Sequence, residues 1–422
     1  MRRILIGHCG IAAAVLGALL SGAPAQAKKV AAPEIVMSDN FRASLQAARA
    51  AIKAGDVTTA GNRVGSLYPA TDFEQYAAAG ARFEYAVMRR DVQAQRIALT
   101  DMFKTSAVPR TDAPRLRFVA AYLSFQVGNY DDALAQLDYA RTLGYDEIDA
   151  MLLRADVYLR RGKPQDARSY VTQALARQRQ AGAKIPAAWY DRAISLAYQT
   201  GDWAGLGALY RERLATYPSR GEWRSALVNY IAGSGMDAQG QLDLYRLQAA
   251  NGAMASERDY QAYAALAEKA GYAAEAKAII EAGRAAGKLT TAHVPSVQLL
   301  KTVTPKATKE IAGLPALAKK ATAASNGEAA MALADRHFSL SQFPQAAEYY
   351  QLALAKGGVD SSRVHARLGI ALARSGDLPG ARQALAQTDG NWGTVAGFWS
   401  TWVDEQSRKS GASLASAAGS IG

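Results

Sequence analysis

The sequence predicts an all-α fold, a right-handed superhelical solenoid of stacked helix-turn-helix repeats, and three observations carry the prediction. A turn residue followed by a small residue five positions on recurs along most of the 422 residues. The turns fall at a near-constant interval. A single cysteine rules out an internal disulfide, so stability must come from buried apolar surface, which a chain of this length can supply as one long array.

Residues 1–27 read as a cleavable export signal. Met1-Arg2-Arg3 gives a positive start, Ile4 to Leu20 an apolar stretch broken mainly by His8, and Ala25-Gln26-Ala27 the small residues a signal peptidase needs. Gly7, Gly10, Gly17 and Gly22 favour cleavage over retention as an anchor, and Cys9 lies inside the apolar stretch, which argues against lipid attachment. The mature chain is expected to begin at Lys28 with an extension over 28–40 and to be periplasmic, with secretion the second choice. The leader removes two of the 49 basic residues and none of the 37 acidic ones, leaving a formal charge of +10. That balance suits an anionic neighbour such as an acidic protein, a lipid head-group surface or an anionic polysaccharide. Nucleic acid fits poorly behind an export signal. No second apolar run is long enough to span a bilayer, so no membrane insertion is expected after cleavage.

Residues 41–288 hold the first array of repeats. Gly128-Asn129-Tyr130-Asp131-Asp132-Ala133 sets the pattern, which returns at Gly55 with Ala60, Gly162 with Ala167, Gly271 with Ala276 and Gly376 with Ala381. Gly201-Asp202-Trp203 keeps the turn with Leu206 in the small position, and weaker copies stand at Arg90, Gly235 and Ser341, the last with Ala346. Successive turns lie 34 to 39 residues apart, with one interval of 70. In each unit the glycine would take the left-handed conformation that ends one helix, and the alanine would let the next approach closely. A single hairpin cannot bury its apolar face, so neighbours must stack. The pattern resembles the tetratricopeptide repeat family, whose unit is ~34 residues. Ala155 and Tyr158 fall on its small and aromatic positions, Leu368-Gly369 on its leucine-glycine pair, and Tyr210 and Pro218 on its late aromatic and closing proline. The family's early tryptophan is absent from its offset, and Arg90 and Ser341 replace turn glycines.

Residues 289–325 fill the double interval and contain Pro295, Pro305 and Pro315, so they read either as a divergent helical unit or hinge or as a plain linker. Repeats resume over 326–390. From 391 to 408, Trp392, Trp399 and Trp402 recur at helical spacing with Val395 and Val403, the pattern of a helix that caps an open solenoid end or docks a partner. The small, polar residues 409–422 are expected to be disordered.

The inventory for catalysis is thin. His293, His337 and His365 are far apart and lack metal-ligand neighbours, no thiol remains after cleavage, and no phosphate-binding loop is present. No catalytic residue, metal or cofactor is therefore assigned. The Asp131-Asp132 pair is expected to cap a helix. A basic cluster, Arg154, Arg160, Arg161, Lys163, Arg168, Arg177, Arg179 and Lys184, cannot all share one face and is in part solvated exterior.

The resemblance implies that the first helix of each repeat lines a concave groove. The groove offsets carry Arg115, Phe118, Tyr122 and Phe125 in one repeat, then Asp156 and Arg160, then Asp191 and Tyr198. Aromatics beside charges suit recognition, because rigid rings bury much area at low entropy cost. A register error of one would make the rings core. The family's clamp for a C-terminal carboxylate is not reproduced, since Ser225 stands where the lysine partner of Asn229 would be. The expected function is that of a scaffold binding an envelope protein or peptide through its groove. The alternative is a binder of polysaccharide or cell-wall glycan, with Phe118, Tyr122 and Tyr198 stacked on sugar rings.

Overall fold

A computed structural model describes the backbone of residues 37–419 and the side chains of residues 37–410. The export signal and most of the 28–40 extension lie outside the described residues. The described chain is all-α, with 21 helices, and divides into two compact units.

The first unit, up to Ala183, holds α1 (Asp39–Ala54), α2 (Val57–Gly65), α3 (Asp72–Met88), α4 (Val92–Phe103), α5 (Ala113–Gln126), α6 (Tyr130–Thr142), α7 (Ile148–Arg160) and α8 (Pro164–Gln180). The second, from Lys184, begins with α9 (Ala187–Gln199), α10 (Trp203–Thr216), α11 (Arg220–Gly233), α12 (Ala238–Ala250), α13 (Glu257–Lys269) and α14 (Ala273–Ala285). It continues through α15 (Val294–Ala312), α16 (Leu314–Ala323), α17 (Glu328–Ser339), α18 (Phe343–Lys356), α19 (Ser361–Ser375), α20 (Leu378–Leu385) and α21 (Gly390–Gly419).

Local chemistry sets the hairpins. All nine turn positions have positive φ, and Arg90 (56°) and Ser341 (58°) are the only non-glycine residues of the described chain that do. The turn conformation is thus a property of the repeat and is kept even where the side chain opposes it. Five residues on, Ala60, Ala133, Ala167, Leu206, Ala276, Ala346 and Ala381 are all completely buried. Each small residue sits where the two helices of a hairpin meet. Asp56, Asp91, Asn129, Asp202 and Asp377 cap the second helices by accepting from a backbone N–H three residues on, at 2.9 to 3.3 Å. Asn129, and not the Asp131-Asp132 pair, is therefore the cap of α6. Those aspartates reach neighbouring elements, Asp131 to Arg161 at 2.8 Å and Asp132 to Arg96 at 3.4 Å.

The prolines of 289–325 do not prevent helix formation. Pro295 and Pro315 sit in the first turns of α15 and α16, where no N–H is needed, and Pro305 is accommodated inside α15. The two helices are joined by Gly313 alone and barely touch each other. Instead α15 packs on α14 and α16 on α17. At the other end, α21 runs through Gly419, past the point at which small, polar composition suggested disorder. Alanine and serine extend a helix already nucleated by its packed N-terminal half.

The second unit closes on itself. One apolar core draws on α9 to α12 and again on α16 to α21. Helix α21 lies against α19 and α20 and also against α10 and α12. Small residues allow the approach: Gly207 of α10 has Tyr230 and Thr394 where a Cβ would stand, at 3.3 and 3.6 Å, and Gly240 of α12 has Val395 at 3.5 Å. Trp399 and Phe398 are fully buried, and Trp399 Nε1 donates to the Asp243 carbonyl at 3.1 Å. Trp402 is 9% exposed, and the buried Trp223 donates to Glu405 at 2.8 Å.

Candidate functional site

In the first unit, α5 and α7 carry the predicted groove residues, and the structure separates them into core and surface. Phe118 is core. It is 4% exposed, stacks on Tyr145 with ring centroids 5.0 Å apart, and packs with Ala121, Leu137 and Leu153. The expectation that Phe118 is a surface ring is therefore corrected: α5 buries three faces among α4, α6 and α7, which leaves few outward positions. Tyr122 and Phe125 lean on the same cluster and remain half-buried, with Phe125 tilted against Tyr130 at 6.0 Å. Arg115 and Arg160 are exposed, and Asp156 is half-buried on α7.

Tyr145 and Asp149, which sequence reasoning did not single out, complete this surface. The Tyr145 hydroxyl donates to Asp149 Oδ2 at 3.0 Å. Burial raises the Tyr145 pKa, and Asp149 adds to the effect; burial also raises Asp149, with Arg115 among the groups opposing the shift. The result is a patch of aromatic edges with a carboxylate whose charge is felt by the exposed Arg115, while the exposed Arg160 stands at the far end of α7. At least three of the eight cations of the basic cluster are paired, through Arg154–Asp138 (2.7 Å), Arg161–Asp131 (2.8 Å) and Arg177–Asp146 (2.9 Å).

Asp191 and Tyr198 belong to the second unit. Asp191 is exposed and held by Arg213, which also grips Glu222 at 2.7 Å. Tyr198 is 49% exposed and meets Trp203 edge-on at 5.3 Å. Both rings lie over Gly233, where any Cβ would come within 2.6 Å of Trp203 and 2.9 Å of Tyr198. Trp392 is half-buried, and the Arg367 guanidinium stands 5.7 Å from its ring centroid.

Deeper in this unit lies a buried charge network that sequence reasoning missed. Arg367 of α19, 1% exposed, donates to Asp243 of α12 at 3.1 Å, Asp335 of α17 at 2.6 Å and Gln239 of α12 at 2.6 Å. Arg246 grips Glu275 through two bonds of 2.8 and 2.6 Å and also pairs with Asp243. Arg363 adds a bond of 2.7 Å to Asp335, and Tyr350, Tyr272 and Tyr263 donate to Asp335 or Glu275. Burial opposes ionisation of Asp335, yet Arg367 and Arg363 hold its pKa below the usual carboxylate value. For Arg367 burial again works against the charge, and Asp243 and Asp335 more than restore it.

Comparison with known proteins bears on both units. A family model described as tetratricopeptide repeat matches residues 118–182, 152–220 and 331–393. Residues 118–220 and 331–393 thus carry tetratricopeptide repeats. No curated protein matches it at the sequence level. Among solved structures, a tetratricopeptide repeat protein from Parabacteroides merdae is 12% identical, over 79% of this chain and 100% of that one, with a TM-score of 0.34. The apo form of the quorum sensor NprR from B. thuringiensis is 17% identical, over 75% and 99%, with a TM-score of 0.30. The pentatricopeptide repeat protein PPR10 from maize is 14% identical over 82% of this chain, which spans 54% of that chain, with a TM-score of 0.31.

In the buried network, Asp243, Glu275 and Asp335 are each engaged by arginine, leaving no carboxylate poised over an open cavity. Among the described residues no group of three or more His, Cys, Asp or Glu could hold a metal ion, and no helix is long and apolar enough to cross a membrane. A partial signal for the network was present in sequence: Asp243 and Arg246 at i and i+3, and Arg363 and Arg367 at i and i+4. That spacing marks helix faces but cannot show that the two faces meet.

Proposed function

We propose that this protein is an exported, periplasmic scaffold that holds a protein or peptide partner on the α5–α7 surface of its first unit. The observation that carries the reading is the contrast in commitment of the groove residues. On α5 and α7, Arg115 and Arg160 are exposed, Tyr122 and Phe125 are half-buried and Tyr145 bonds Asp149, whereas Asp191 is held by Arg213 and Tyr198 is packed on Trp203. Half-buried rings next to exposed arginines can bury area and form directional charged bonds with little loss of side-chain entropy. The N-terminal sequence supports export by the residues already given, and a tetratricopeptide architecture supports a role in holding and not in reacting. The glycan alternative relied on Phe118, Tyr122 and Tyr198; with Phe118 in the core and Tyr198 against Trp203, no continuous stacking platform supports it.

Crosslinking and affinity capture from the envelope, with the signal intact, tests the reading. Arg115→Ala combined with Arg160→Ala should weaken capture by about 1–2 kcal/mol or more without lowering the melting temperature. Unchanged capture, or a chain found in the cytoplasm with Met1 retained, overturns it.

A further inference from the structure

The splayed pair α15 and α16 is unlike every other consecutive hairpin. Helix α15 joins the apolar cluster of α12 to α14 through Val303 and Ala307, while α16 leans on the core shared by α17 and α18. Lys356 of α18 fixes the end of α16 by donating to the carbonyls of Ala321, Thr322 and Ala324 at 2.7 to 2.8 Å. Each helix is therefore anchored to a different neighbour, and a cleft of about 510 Å³ opens at their junction. Lys306, Lys309, Leu317 and Arg336 line it, with Glu268 and Glu310. A second concavity opens on α16 beside Lys319.

The charges here are unbalanced and largely unpaired. Residues 289–325 contain Lys301, Lys306, Lys309, Lys319 and Lys320 against one acid, Glu310. Glu310 is already committed, accepting from Arg336 at 2.9 Å and from the Ala274 backbone N–H at 3.0 Å. Lys306 is paired with Glu268 at 2.8 Å. Lys301, Lys309, Lys319 and Lys320 are exposed and have no ion-pair partner among the described residues. Arg154, Arg161 and Arg177, by contrast, each find a carboxylate on α6 or on the connection that follows it.

We propose that the α15–α16 cleft and its lysine rim form a docking site for an acidic peptide segment of another protein. The carboxylates of such a segment would pair with Lys309 at the cleft and, where the segment runs on over α16, with Lys319 at the second concavity, and an aliphatic side chain would fill the cleft against Leu317. The shape and the floor favour a peptide over a lipid surface. A headgroup layer is broad and uniformly anionic, and it would set phosphates against Glu268 and Glu310, whereas a peptide can thread between the signs. The proposal rests on the scaffold reading in that it makes the ligand a protein, but it places a contact outside the α5–α7 surface.

The test uses the purified full chain and a fluorescent peptide of about a dozen alternating Asp, Glu and Leu residues, followed by anisotropy at low and physiological salt. Lys309→Glu with Lys319→Glu should weaken binding at least tenfold, and Lys309→Gln with Lys319→Gln by less. An equal charge change in the first unit away from the α5–α7 surface, Lys53→Glu with Arg63→Glu, both exposed, should have much less effect. Equal loss from both pairs would reduce the interaction to net charge and overturn the site. No binding overturns it too, as does vesicle binding, with phosphatidylglycerol in phosphatidylcholine, that depends on the same lysines while the peptide does not bind. Failure of envelope capture by the Arg115 and Arg160 variants bears only on the first-unit reading, because the peptide assay does not depend on that surface.

Discussion

The two units are built from the same hairpin but reach stability by different routes. In the first unit each apolar cluster joins sequence neighbours: Phe41 to Ala81 with flanking residues, Tyr76 to Leu123, and Phe118 to Leu153. Its inter-repeat ion pairs, such as Arg49–Glu84 and Arg96–Asp132, are also short-range in sequence and lie near the surface. In the second unit a single core joins α9 to α12 with α16 to α21, and the bonds that close it connect residues 124 to 182 positions apart. A stack of nearest-neighbour contacts can open repeat by repeat, whereas a ring of contacts must break its closure first.

The largest effect should come from removing that closure. Truncation after Asp389 deletes α21 and with it Trp399, Phe398 and Val403, all fully buried. Several core side chains at about 3 kcal/mol each exceed what local repeats can supply. A lid on the last repeat would let hydrogen exchange accelerate only in α17 to α20. Because α21 also covers α10 and α12, exchange should rise there as well, with Trp223 losing its Glu405 acceptor. Protection of α10 to α12 left intact would show that the ring does not carry the stability of the unit.

Arg367→Met is the next step down. It leaves Asp243 and Asp335 buried with fewer cationic partners, and removing one member of such a network typically costs about 3–5 kcal/mol. Asp243 keeps Arg246, and Asp335 keeps Arg363 and Tyr350, so the lower end of that range is expected. Thermal denaturation should show the second unit melting earlier with the first unchanged. A loss below about 1 kcal/mol would mean that the network fixes the register of closure without stabilising it.

Phe118→Ala probes the first unit in the same terms. The ring fills the junction of α5, α6 and α7, so its loss should cost about 3 kcal/mol and act on neighbouring hairpins only. A melting temperature that held while partner capture fell would return Phe118 to the recognition surface.

What the sequence could and could not disclose follows from this contrast. Turns at Gly55, Gly128 and Gly376, and the buried Ala60, Ala133 and Ala381, were legible because backbone handedness and helix contact act within half a dozen residues. Arg90 and Ser341 were placed correctly by spacing alone, although neither residue favours the conformation it takes. The side of α5 on which Phe118 lies was misread, because consecutive helical offsets differ by 100° and a repeat buries more than one face. Trp392, Trp399 and Trp402 gave away an apolar helix but not its reach to α10 and α12, and nothing local to Asp243 announces Arg367. Those contacts depend on how the curvature of many repeats adds up.

The smallest expected effect offers the finest comparison, since one left-handed non-glycine residue lies in each unit. Arg90 and Ser341 are both exposed, so replacing either by glycine removes no buried contact. The backbone bonds that define each turn survive: Arg90 donates to Val87 at 2.9 Å and Asp91 to Ala86 at 2.9 Å, while Ser341 donates to Phe338 at 3.0 Å and Gln342 to His337 at 2.9 Å. Left-handed backbone costs an L-residue roughly 1–2 kcal/mol, and glycine gives back about 0.5–1 kcal/mol through the entropy of the unfolded chain. Each substitution should therefore stabilise by about 0.5–1 kcal/mol. The two units should express that gain differently. For Arg90→Gly, slower hydrogen exchange should be concentrated in α3 and α4 and their neighbours, because openings there are local. For Ser341→Gly the gain should spread over α9 to α12 as well as α17 to α21, because closure ties them into one cooperative transition. If Ser341→Gly protects only α17 and α18, the second unit opens repeat by repeat like the first, and its long-range bonds position the helices without coupling their unfolding.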